Sequence, residues 1–197
     1  MRKLDGIRCF GMWWFLAGAV LFFGAHLLPA HTTWRGALVQ RLGALPYQGV
    51  FSLVAGIGLV LIVLGYRQWE PGTYWATPAW GYPINTGLMI LAAVLMAAAY
   101  VPGNLKRVFR HPMLAAVLLW SAAHLLVTGH EAGLALFGLF GAYALFGIWS
   151  ANQRGAVYQS RSRPWWNDLL VLLVGLLVYG LSVWLHAWLG RPIPGLS

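Results

Sequence analysis

Six stretches of this chain are long, apolar and free of Lys, Arg, Asp or Glu in their interiors: Cys9–Leu28, Gly49–Tyr66, Ile84–Val101, Pro112–Thr128, Ala132–Ser150 and Asp168–Gly190. Crossing a bilayer takes about 20 mostly apolar residues in one helix, and each stretch meets that length or comes close. The last is the most lipid-like, with a Leu/Val run from Leu169 to Val178. The second and third are short and rich in Gly and Ala, which lets neighbouring helices approach closely. Gly129, His130 and Glu131 alone separate the fourth stretch from the fifth, so the pair reads as a tight antiparallel hairpin. Six such runs in 197 residues predict an all-α, six-transmembrane-helix bundle in a single domain. The spans are numbered 9–28, 49–66, 84–101, 112–128, 132–150 and 168–190. A β-barrel would show short alternating segments instead. The first run is too long and Trp-rich for a signal peptide, and no small-x-small cleavage site ends it.

Only 9% of the residues are charged, against 60% hydrophobic. So few charges could not cover a water-soluble domain, and so much apolar content excludes disorder. The net charge is nonetheless +9, from 13 Lys/Arg and 4 Asp/Glu. A nucleic-acid binder gathers such an excess in a dense patch. Here it is scattered between apolar runs, so the partner is the lipid bilayer and not nucleic acid. With six spans both termini share a side. Arg2, Lys3, Arg8, Arg67 and Arg191 fall on that side, and Arg35, Arg41, Lys106, Arg107, Arg110, Arg154, Arg161 and Arg163 fall on the other. The larger group marks the cytoplasmic face, which predicts periplasmic termini in a bacterial inner membrane; Arg2, Lys3 and Arg8 pull the other way. Trp69, Tyr74, Trp75, Trp80 and Tyr82 cluster in one loop, and Trp165 with Trp166 opens the last span, as aromatic belts require.

The four acids, Asp5, Glu70, Glu131 and Asp168, all sit at span edges. A proton-coupled transporter places a carboxylate within the membrane. That reading and a buried Ser-His-Asp site therefore lack their acid. No phosphate-binding GxxxxGK loop and no paired glycosidase carboxylates occur. Cys9 is the only cysteine, so there is no intrachain disulfide, thiolate cluster or covalent haem attachment motif.

Histidine is what remains. His26 and His186 lie near the ends of the first and last spans. His111 opens the fourth, and His124 follows 13 residues later, about 20 Å along a helix. His31 and His130 fall in loops. Neutral imidazole is a common ligand of haem iron and adds no charge to an apolar bundle. The competing reading is that each imidazole only hydrogen-bonds a nearby carbonyl. By depth, His26 pairs with His111, and His124 pairs with His186. Between the third and fourth spans, Pro102-Gly103-Asn104 breaks one helix and Pro112 starts the next. Lys106, Arg107 and Arg110 gather there beside His111. They form a candidate site for a carboxylate, a haem propionate or a lipid phosphate. The competing reading is a positive-inside anchor.

The segment from Tyr100 to Leu114, followed by Trp120-Ser121-Ala122-Ala123-His124-Leu125-Leu126, resembles the NnrU family. So do His26-Leu27-Leu28-Pro29, Arg41-Leu42-Gly43, Gly49 to Val54, Gly58 to Tyr66 and His186 to Gly190. The likeness covers nearly the whole chain and is most specific over residues 99–129. Two departures are Ala44, where many members carry an acid, and the missing acid before Ser150. The resemblance implies a role in denitrification, in nitrite and nitric oxide reduction. A relative of that family, the plant zeta-carotene isomerase, is a haem b enzyme. Its likeness rests on His26, Arg110-His111-Pro112 and Ala123-His124. It implies haem b as cofactor, with His26 and His124 as iron ligands and His111 as a third candidate that binds a propionate or replaces a ligand. It also implies an alternative function, haem-dependent cis–trans isomerisation of an apolar, carotenoid-like polyene or other lipid substrate. The isomerase's alternative cysteine ligand corresponds to Ser121 here, so a ligand switch through that thiol is absent. Arg-His-Pro more distantly resembles isoprenylcysteine carboxyl methyltransferases, but their C-terminal cofactor residues find no match. A non-catalytic membrane assembly or regulatory factor with structural histidines is the third class.

Overall fold

The computed structural model describes residues 2–69 and 72–189, with side chains from residue 10 onward. Glu70, Gly190 and Arg191 lie outside the described residues, so the predicted end of the last span is not seen. The described residues are helical apart from short connections, and no strand occurs among them. In order, the helices are α1 (Arg2–Leu27), α2 (Thr32–Leu42), α3 (Ala44–Gln68), α4 (Gly81–Tyr100), α5 (Leu105–Val108), α6 (Pro112–Val127), α7 (Glu131–Gln153) and α8 (Trp165–Trp188). A 3₁₀ turn, Leu28–Ala30, follows α1.

Five segments are long and apolar enough to cross a membrane: Phe10–Ala30, Ala44–Gln68, Gly81–Tyr100, Glu131–Gln153 and Trp165–Trp188. The predicted span 112–128 is the exception. It forms α6, of 16 residues, about 24 Å long at 1.5 Å per residue and short of a hydrocarbon core of about 30 Å. The cause is local. Pro112 fixes where α6 begins, and extended backbone at Thr128 ends it. The predicted six spans are thus five long helices and one shorter apolar helix. Helices α2 and α5 were not expected from the apolar pattern, because neither is an apolar run.

The chain forms two compact units, Met1–Gly72 and Thr73–Ser197. In the first, α1 packs along α3. Contact is closest at Gly11 and Gly18 on one helix and Gly58 and Gly65 on the other. A Cβ on Gly65 would fall on the backbone nitrogen of Phe15, and one on Gly18 would lie 2.6 Å from the Gly58 carbonyl oxygen. The two backbones therefore touch, as small residues permit in lipid. Phe15 and Ile62 are buried beside these contacts, and Phe15 meets Trp69 edge-on, with centroids 5.4 Å apart.

In the second unit α4 is central, packing on α6 and on α8, while α7 packs on α6. Thr128–His130 turn α6 back into α7, which is the predicted tight hairpin; the His130 ring caps α7 by accepting from Gly133 N at 3.1 Å. The core is built of small side chains, among them Ala97, Ala98, Ala116, Ala123 and Ala144, with Leu95, Phe137 and Val171. Helix α8 buries only Val171 and Gly175 and presents Leu169, Leu170, Leu173 and Leu177 outward. For a lipid-facing helix that is the expected disposition, because lipid is as apolar as leucine.

Polar groups fasten the ends of these helices. At one end Asn104 is the hub. Its backbone N–H and side-chain Nδ2 donate to the two Asp168 carboxylate oxygens at 2.6 and 2.7 Å. Its side chain also exchanges bonds with the Arg163 backbone, at 2.9 and 2.8 Å. At the other end the segment after Gly72 runs beside the α6–α7 turn. Tyr74 N donates to Gly129 O at 2.7 Å, Thr77 Oγ1 to Val127 O at 2.6 Å, and Asn85 Nδ2 to Ala123 O at 2.8 Å.

Candidate functional site

The three histidines on long apolar helices share one local arrangement. A helix leaves its carbonyls pointing toward the residue four positions on, so a histidine there can bond back with Nδ1. His26 Nδ1 meets Phe22 O at 2.7 Å, His124 Nδ1 meets Trp120 O at 2.9 Å, and His186 Nδ1 meets Ser182 O at 2.8 Å. A carbonyl can only accept, so each Nδ1 carries a proton; in the neutral imidazole Nε2 is then the lone-pair nitrogen. Orienting one ring nitrogen on a carbonyl while the other faces a metal is how histidine ligands are commonly held.

The structure brings two of these histidines together. His124 and His186 lie in the last turns of α6 and α8, with ring centroids 6.4 Å apart and 33° between planes. The pairing by depth in the sequence joins the same two residues. His124 stacks on Phe137, centroids 4.4 Å apart and planes 23° apart, and the Trp120 indole closes another side at 5.1 Å. His26 belongs to the first unit. It stacks on Phe22 at 4.1 Å and meets Phe51 at 5.2 Å.

Haem can be tested against this donor set. A bare cation takes three or four protein ligands, and no group of three His, Cys, Asp or Glu gathers among the described residues. A porphyrin brings four nitrogens of its own and asks for one or two axial side chains. His124 and His186, with ring centroids 6.4 Å apart, match that need in kind and number of donors and are the residues that would hold such a group.

A second cluster lies where α4 ends and α6 begins. His111 Nε2 and Arg110 Nη1 both reach Asn152 Oδ1, at 2.9 and 2.8 Å. The Arg110 guanidinium stands 4.4 Å over the Tyr158 ring. Lys106, Arg110 and His111 line one cavity of about 640 Å³. Arg107, also predicted for this site, is exposed and does not line it. Asn152 and Tyr158 complete the cluster and were not anticipated. Asn152 lies in the last turn of α7 and Tyr158 in the basic loop after it, and only their polarity next to a long apolar run marked them.

The fold and these sites define the class: a multi-pass, all-helical membrane protein with oriented histidines on its apolar helices and a cationic cavity at a helix junction. A sequence model of the NnrU protein family matches residues 14–193, and the chain belongs to that family. Neither the curated proteins nor the solved structures contain a match to it.

Proposed function

We propose that this chain is a haem-b-binding membrane protein acting in nitrogen-oxide respiration, where nitrite and nitric oxide are reduced. The observation that carries the reading is the facing pair His124 and His186, each with Nδ1 committed to a carbonyl. In this reading His124 and His186 would be the residues that hold the haem. Phe137 and Trp120 keep the His124 ring from turning, and the i−4 carbonyls fix the orientation of both rings through Nδ1. Haem would supply single-electron transfer when bound, which suits a partner of nitrogen-oxide reductases. Family membership and the helical membrane architecture support this reading.

Counting α6 as a sixth crossing puts both termini on one face. The basic tally then assigns that face to the periplasm and the protein to the inner membrane.

The test is the absorption spectrum of the full chain, purified in mild detergent from haem-replete cells. Expected is a low-spin b-type spectrum that His124→Ala and His186→Ala each abolish and His26→Ala preserves. No Soret band after haem supplementation would overturn the haem reading. Loss in His26→Ala with retention in His186→Ala would return the assignment to the pair His26 and His124.

A further inference from the structure

The cavity beside Arg110 holds two fixed cations and no compensating acid. Lys106 makes no side-chain hydrogen bond or ion pair among the described residues. Arg110 is held only by neutral groups, the Asn152 amide and the Tyr158 ring. Its Nε is buried without a partner. The two acids of this unit are engaged elsewhere, Asp168 by Asn104 and Glu131 by Tyr74. Two cations lining one cavity with no acid in its lining make it a site for an anion.

Beyond the cations and His111, the lining has a polar part, Tyr100, Tyr158 and Gln159, and an apolar part, Ala99, Pro112, Met113, Leu114 and Val157. Met113 and Val157 are exposed to the surroundings, Val157 at 82%. The position in the fold fixes the depth. Helix α4 ends at Tyr100 and α6 starts at Pro112, so the cations stand at the level where two apolar helices terminate. Apolar walls run from there along the helices. A soluble anion has no use for those walls, whereas a headgroup phosphate with an acyl chain below it matches both parts.

A haem propionate does not fit the same place if the iron is at His124. That residue lies 13 positions along α6 from His111, about 20 Å away, beyond the reach of a propionate on the same ring.

We infer that Lys106, Arg110 and His111 form a binding site for the phosphate of an anionic phospholipid, with its acyl chain along Met113 and Leu114. The inference is independent of haem, and its readout needs no chromophore.

The test is native mass spectrometry of the detergent-purified full chain, titrated separately with phosphatidylglycerol, phosphatidylcholine and inorganic phosphate. Phosphatidylglycerol is expected to bind best. Lys106→Gln, which breaks no side-chain hydrogen bond or ion pair among the described residues, is expected to weaken it about fivefold, the weight of one cation near an anionic headgroup. Arg110→Gln is expected to weaken it further, with circular dichroism confirming the fold. Arg41→Gln, on α2, is expected to change nothing. Equal binding of phosphatidylcholine would overturn the inference, as would unchanged binding in Lys106→Gln and Arg110→Gln. Displacement of the lipid by an equal concentration of inorganic phosphate would make this a free-anion site, and an equal loss in Arg41→Gln would reduce it to diffuse charge.

Discussion

The first unit joins its two long helices through a row of glycines, and the second has one such contact, Gly175 on the Val94 backbone, and adds polar groups that fasten its helix ends. Between α1 and α3 the contact is backbone on backbone, at Gly11, Gly18, Gly58 and Gly65. Around α4 the helices are pinned by Asn104 with Asp168 at one end and by Thr77 and Asn85 at the other. The difference teaches where each unit is vulnerable. A glycine contact fails by overfilling, since added atoms have nowhere to go. A polar clamp fails by deletion, since its partners are left unmatched in a half-dry place.

The largest effect therefore belongs to the first unit. Gly65→Leu drives a side chain into the Phe15 backbone and is expected to cost about 3 kcal/mol, the upper end for overpacking. Gly56 lies on the same helix with nothing within 4 Å of an added Cβ. Gly56→Leu should stay within about 0.5 kcal/mol of the parent. Unfolding in mixed detergent micelles measures both. Equal losses would show that helix composition, and not the glycine contact, holds α1 to α3.

Next comes the Asn104 hub. Asp168→Ala removes two charge-assisted acceptors and is expected to cost about 2–3 kcal/mol. Asp168→Asn retains one acceptor and should recover part of that. Faster cleavage by added protease between Arg154 and Pro164 would report the same loosening. If Asp168→Ala unfolds no more easily than the parent, the second unit does not depend on its clamps and the contrast between the units fails.

How far the sequence could see follows the same division. The long helices were legible because an uncharged run in lipid has one structural outcome. The shortness of α6 was half legible, in Pro112 at its start. Its early end at Thr128 depends on the turn docking against residues 73–77, which no local pattern reveals. Lys106, Arg110 and His111 were found together because they are close in sequence. Asn104 and Asp168 are separated by 64 positions, and Asn152 lies 41 from His111, so only the fold brings them into contact. The pairing of His124 with His186 was legible only coarsely, because both lie toward the same end of their helices, while the family resemblance pairs His26 with His124.

A smaller effect is expected inside the second unit. Asn85→Leu removes the bond to the Ala123 carbonyl, one turn from His124. Interhelical hydrogen bonds in membranes average about 0.6 kcal/mol, so stability should fall by that order. Positioning of His124 is the sharper readout. If haem is bound there, its spectrum should broaden or shift in Asn85→Leu while Thr77→Val, which loses the bond to Val127, leaves it unchanged.

The smallest effect is an electrostatic one at the exposed end of the same clamp. Tyr74 donates its phenol hydrogen to Glu131 Oε1 at 3.1 Å. The hydrogen bond and then the carboxylate charge both favour the protonated phenol, so Tyr74 ionises above its ordinary range. Glu131→Gln removes the charge and weakens the bond, and the phenol should then ionise at lower pH. The phenolate absorbance of each protein, read as a difference against its Tyr74→Phe counterpart, isolates this residue from the other tyrosines. Because the pair is exposed, stability should barely change. A large stability loss in Glu131→Gln would mean that this outer contact, and not Thr77 and Asn85 beneath it, fastens the turn of α6 and α7 to the preceding loop.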